Sequence, residues 1–147
     1  MLLLFPVLVL IRGGNEAYQA TFPEEVAMYR QVVAETPPGQ EIVPLASAGP
    51  TGLEGITKFG RGSNIDGCGQ LYDDPIRCID LEYPDVIVTF TSIEKQGVYL
   101  EGLPPGWSLD LIQELVSSGR YTVTYQDGFN AVLKKSAVPA AAPAGGG

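Results

Sequence analysis

A small α/β domain is what this sequence predicts: a mixed sheet of about four strands packed with two main helices and closed by a C-terminal β-hairpin, behind an apolar N-terminal segment. Three stretches carry the expectation. TFPEEVAMYRQVVAE has apolar residues at helical spacing, DVIVTF is a continuous apolar run, and YTVTYQDGFNAVLKK is two β-rich runs about an Asp-Gly pair.

The head, Met1 to Ile11, has no polar side chain, and Arg12 and two glycines follow it. It is shorter than the roughly 20 residues that span a bilayer as a helix. A secretory signal would carry its positive charge before the apolar run and small residues at a cleavage point. Here the arginine comes afterwards. A first strand or buried core helix fits the length, and Pro6 weakens but does not forbid either. The favoured reading is the outer end of a transmembrane helix, or an apolar anchor, over residues 1–12, with Arg12 and Asn15 meeting the headgroups. Residues 13–20 are then a polar connection, 21–135 a soluble α/β domain and 136–147 a flexible tail.

Within the domain, Thr21 and Glu24 fit a capping box, and Glu24 and Glu25 suit the positive end of the helix dipole. Val26, Tyr29, Val32 and Val33 give the helix one apolar face, and Pro37, Pro38 and Gly39 stop it. EIVPLA reads as a short strand, placed by Pro44 near a sheet edge. Ser47 to Pro84 is glycine-rich, holds both cysteines and keeps no sustained period, so it is either functional or locally stapled. DVIVTF, Asp85 to Phe90, is expected at the buried centre of the sheet. Ser108 caps a helix carrying Leu111, Ile112 and Leu115, and Gly119 ends it. Asp127 and Gly128 turn the hairpin. The tail SAVPAAAPAGGG offers almost no side chain to bury, so it cannot offset the entropy of ordering.

Composition excludes several classes. A net charge of -8 without a basic cluster argues against nucleic acid, whose phosphates would be repelled. The chain has no histidine, which removes the serine–histidine–aspartate triad, the commonest general base and most zinc sites. No cofactor or metal is expected. GRGSNIDGCG lacks the Lys-Ser/Thr ending of a phosphate loop and the third glycine of a dinucleotide fingerprint, so it reads as an ordinary loop.

The order TPPGQEIV, then YPDVIVTF, then LPPGWSLDLIQELVSSGRYTVTYQDGFNAVLKK resembles the C-terminal extracytoplasmic domain that follows the last membrane helix of GT-C-type multi-pass glycosyltransferases, particularly those of actinobacteria. The likeness spans residues 1 to 135 and lies in turn and hairpin features: an apolar helix emerging, a soluble helix, an X-Pro-Pro-Gly turn into the first strand, and a Tyr-rich closing hairpin. What the resemblance implies is a cell-membrane protein with its soluble domain on the extracytoplasmic side. Its partners would be the membrane, through residues 1–12, and a larger membrane glycosyltransferase or a cell-envelope glycan. In that family the catalytic acid lies in an early loop between membrane helices, which has no counterpart here. The implied role is therefore a non-catalytic module assisting acceptor access or partner contact. The alternative is a free-standing secreted or membrane-anchored binding protein using the 47–84 loop.

No catalytic residues are assigned. Trp107, behind two prolines and a glycine, either stacks on a sugar ring or packs the start of its helix onto the sheet, and packing is the favoured role. Asp73, Asp74 and Asp80 belong to an acidic run that reads chiefly as a solvated face and secondarily as a ligand contact. Two of them could still act as an acid/base pair, so the spacing leaves catalysis open. Cys68 and Cys78 match neither a redox nor a metal spacing. A disulfide between them would suit an extracytoplasmic domain and staple the irregular segment, with free buried thiols as the alternative. In material made in an oxidising compartment, non-reducing mass spectrometry should find Cys68 bonded to Cys78. Two freely alkylated thiols would refute the pairing.

Overall fold

The computed structural model describes residues 20–46, 49–50, 76–77, 79 and 83–137. The apolar head, most of the connection, most of the 47–84 segment and the end of the tail lie outside the described residues. The elements run α1 (Pro23–Glu35), β1 (Ile42–Pro44), β2 (Val86–Thr89), α2 (Thr91–Leu100), α3 (Trp107–Ser117), β3 (Tyr121–Asp127) and β4 (Asn130–Lys135). The four strands form one mixed sheet in the order β1-β2-β4-β3, so the chain is the small α/β fold its sequence predicts, with three helices where two were expected.

β1 and β2 are parallel, and β4 is antiparallel to both β2 and β3. β3 therefore runs parallel to β2, and α2 and α3 form the crossover between them, with β4 inserted into the gap. β2 is buried along its whole length, as its continuous apolar content requires of a strand covered on both faces. Val86 and Val88 lie opposite Lys134 and Val132 on one face, and Ile87 lies opposite Leu133 on the other. α1 covers the first of these faces, setting Tyr29 edge-on to Phe90 at 6.0 Å. α3 packs against β3, and α2 packs against α3. β1 is a sheet edge ending in Pro44, as the sequence indicates.

Several local expectations shift. α1 begins one residue later than the Thr21–Glu24 pairing implies: the N-cap is Phe22, and its amide donates to Glu25 rather than to Glu24. The buried face of α1 is Glu25, Met28, Tyr29 and Val32, with Val26 and Val33 only half-buried. The hairpin turn also moves one residue on. Asp127 pairs with Asn130, leaving Gly128 and Phe129 in the loop, with Gly128 at φ 57. Gly119 ends α3 as expected, at φ 73, with its amide donating to the Val116 carbonyl.

The amino end of the parallel strands is closed by Tyr121. Its hydroxyl donates to the Pro84 carbonyl at 2.9 Å, and its ring meets Tyr83 edge-on. Burial, reinforced by Tyr83 and Asp85, pushes its phenol well above the usual tyrosine range, so it stays a neutral donor.

α2 was not anticipated. Its buried residues are Ser92, Ile93, Glu94 and Gly97, of which one is a large apolar side chain. Gly97 is buried beneath the indole of Trp107. A β-carbon there would overlap Nε1 and Cε2 and come within 2.8 Å of Cζ2. Alanine favours a helix over glycine by about 1 kcal/mol. Even so, Gly97→Ala should lower stability in a denaturant titration by about 2 kcal/mol, because overpacking outweighs propensity. Adding Trp107→Leu should make the double variant lose less than the sum of the two single variants, and strict additivity would show that the contact does not constrain the core.

Candidate functional site

In open α/β sheets ligands bind beyond the carboxyl ends of the parallel strands, where a helix N-terminus offers free amides to an anion. Here that place lies beyond Pro44 and Thr89, at the first turn of α2. The chain's own acceptors occupy it. Asn130 Oδ1 accepts the Thr91 amide at 2.9 Å, and Glu25 Oε1 accepts the Ser92 amide at 2.8 Å. The second oxygen of Glu25 accepts the Phe22 amide at 3.1 Å, so one fully buried carboxylate caps the starts of α1 and α2 together. Beside it, Thr89 Oγ1 and Ser92 Oγ are buried without a hydrogen-bond partner.

A second buried carboxylate repeats the device. Glu94 Oε1 accepts the Gly106 amide at 2.6 Å, and Glu94 Oε2 accepts the Ser108 amide at 3.1 Å and the Ser108 hydroxyl at 2.6 Å. The backbone carbonyl of Glu94 takes the Trp107 indole N–H at 3.1 Å. α3 therefore starts at Trp107 behind Gly106, which sits at φ 94. Its cap is Glu94 of α2, not the Ser108 hydroxyl that the sequence suggested, since that hydroxyl itself donates to Glu94.

Trp107 is 7% exposed, packed across Gly97 and bonded to Glu94. The contacts of the ring are with α2, which leaves it little surface to offer. Asp73, Asp74, Asp80, Cys68 and Cys78 lie outside the described residues. Among the described residues, no group of three His, Cys, Asp or Glu is placed to hold a metal ion.

An open concavity lies between α1 and the hairpin, with a volume of about 110 Å³. Buried Met28, Val32 and Val132 make its floor, and Tyr125 and Thr124 make one wall. Its rim is a polar chain: Gln31 Nε2 donates to Glu35 Oε1 at 2.8 Å, and Glu35 Oε2 lies 3.9 Å from Lys134 Nζ.

A β-bulge aims Tyr125 at this cleft. Val123 pairs with Leu133 and Tyr125 with the next residue of β4, Val132, so Thr124 is the extra residue. In a regular strand Val123 and Tyr125 would share a face; the bulge puts them on opposite faces and turns Tyr125 toward α1.

Sequence reasoning missed Glu25, Glu94 and Tyr125 as site residues. An acid in the first turn of α1 is visible in the sequence, but the second helix it serves is not, and no local pattern reveals the bulge. Glu94→Ala should cost about 3 kcal/mol, since it strands two amides and a hydroxyl in the interior. The exposed Glu114→Ala on α3 should stay within about 0.5 kcal/mol of the parent. Equal losses in chemical denaturation would show that the cap is not what holds α3.

Comparison of the chain with family models, with characterised proteins and with solved structures finds no match.

Proposed function

We propose that this chain is a non-catalytic, extracytoplasmic module of a glycosyltransferase-like membrane protein, assisting acceptor access or partner contact at the outer membrane surface. The observation that supports this most is that the usual ligand seat of an open α/β sheet is filled from within. The carboxylate of Glu25 stands where a substrate phosphate or carboxylate would otherwise meet the α2 amides, with Asn130 beside it. Glu94, the other buried acid of the described residues, has both oxygens committed to α3. A carboxylate so engaged is poorly placed to take a proton from a substrate or to attack one. The work of such a module falls to its surface, in keeping with a domain that presents or receives a partner.

The membrane part of the proposal rests on the apolar residues 1–12 and on the family resemblance. Among the described residues, no helix is long and apolar enough to cross a membrane.

In cells the chain should sediment with membranes, and residues 21–135 should react with a membrane-impermeant label from the outer side. The purified chain should turn over neither glycosides nor lipid-linked sugars. Recovery in the cytosol would refute the location. Turnover abolished by Asp73→Asn, Asp74→Asn or Asp80→Asn would refute the non-catalytic role.

A further inference from the structure

The two edges of the sheet are guarded differently. β1 is three residues long and ends in Pro44, which blunts it as a template for another strand. β3, the opposite edge, is seven residues long and exposed from Thr122 to Asp127. Thr122 to Gln126 carries neither charge nor proline, and Val123 and Tyr125 are left 36% and 44% exposed. We infer that β3 pairs with β3 of a second copy of this chain, antiparallel and about a two-fold axis, so that two domains share one continuous sheet. The inference goes beyond the module reading and does not rest on it.

The register follows from the backbone. The Ser136 amide donates to the Arg120 carbonyl, so Arg120 and, by alternation, Thr122 turn their backbone groups toward β4. Tyr121 and Val123 turn theirs outward. Gln126 does the same, because its partner Ala131 is two residues from Leu133, the partner of Val123. Tyr121, Val123 and Gln126 also share one face of the sheet, and Thr122, Tyr125 and Asp127 share the other, since β4 alternates regularly beside the bulge at Thr124.

An antiparallel mate must set outward groups against outward groups and like face against like face. With Thr124 passed over in both strands, the two-fold register that does this and engages the whole strand centres on Val123. It sets Val123 against Val123, Thr122 against Tyr125 and Tyr121 against Gln126. The bulge is no bar to such pairing, because β4 already pairs across it on the inner side.

Charge complementarity selects the same partner. Faces and backbone groups alone fix the register, and it brings Arg120 of each copy opposite Asp127 of the other, at both ends of the shared ladder. A parallel mate would instead set Asp127 against Asp127. Thr122 opposite Tyr125 is a favourable pairing of β-branched and aromatic side chains, and Val123 on the axis covers its exposed methyl groups with their like. The assembly also closes. Its outer edges are two copies of the short, proline-ended β1, so the sheet stops at two domains.

The test is analytical ultracentrifugation of the full chain over about 5 to 500 μM, in a non-ionic detergent that disperses residues 1–12. The expected result is a monomer–dimer equilibrium with a dissociation constant on the order of 100 μM. Val123→Lys, which sets two ammonium groups against each other on the axis, should raise that constant about tenfold or more. Arg120→Glu and Asp127→Lys should each raise it about threefold or more, and the double variant, with the charges exchanged, should regain the parent affinity. In a mixture of isotope-labelled and unlabelled chain, filtered NMR should show Val123 meeting Val123 and Thr122 meeting Tyr125 between copies. Unchanged amide spectra away from β3 in each variant would show that the fold persists.

A monomer throughout the range, a dimer indifferent to Val123→Lys, a double variant no tighter than the single ones, contacts in another register, or growth beyond two copies would each overturn the pairing. Any of these leaves the membrane location and the non-catalytic role standing, because neither depends on β3. A cytosolic location or a measured turnover would in turn sink the module reading without touching the dimer.

Discussion

Buried carboxylates bound to backbone amides hold this domain together. Its helices are short, and helices of 10, 11 and 13 residues are marginal in water without outside support. Each draws part of that support from its first turn. Glu25 ties the start of α1 to the start of α2, Glu94 ties α2 to the start of α3, and Asn130 ties α2 to the hairpin. The acceptors form a relay running from one helix to the next and into the sheet. A buried carboxylate is costly unless its lone pairs are matched, and here every match is an amide or hydroxyl that would itself be orphaned without the acid. Acid and helix ends therefore cannot be separated without exposing both.

This arrangement shapes where chemistry can happen. The carboxyl edge of the parallel strands, the general-purpose site of open α/β sheets, has become an internal joint. What the fold offers outward instead is the hairpin side of the sheet, where β3 is exposed from Thr122 to Asp127 and its one irregularity turns an aromatic ring toward α1. The indole of Trp107, the more conspicuous aromatic in the sequence, is used to seat α3 across Gly97.

How much of this was legible in the sequence depends on how local the determinant is. β2 and the hairpin were readable because continuous apolar content and an Asp-Gly pair act over a few residues. α1 and α3 were readable from their apolar faces, and the errors at their starts, one residue for α1 and two for α3, arise because the residue that completes each cap was misjudged. α2 was not readable, because helical periodicity detects apolar stripes and its buried face is Ser, Ile, Glu and Gly. Glycine there looks like a helix breaker until the indole it accommodates is known. Glu94 looks like a solvent-facing acid until the start of α3, 12 residues on, is brought to it. The cleft was illegible for a third reason: a bulge reverses the alternation of side chains from which a strand's exposed face is inferred.

The placement of β4 has a temporal consequence. It is the last of the four strands to be synthesised, yet it lies between β2 and β3 and supplies both with their ladder. Until it arrives, β2 has only the three-residue β1 beside it, and β3 has no neighbour at all. A nascent chain leaving the ribosome, or threading through a membrane, can form its helices early but must keep the apolar strand β2 uncovered along one edge until almost the whole domain has emerged. The sheet then closes from the middle in one late step, and through that interval the domain depends on whatever shields an unpaired strand.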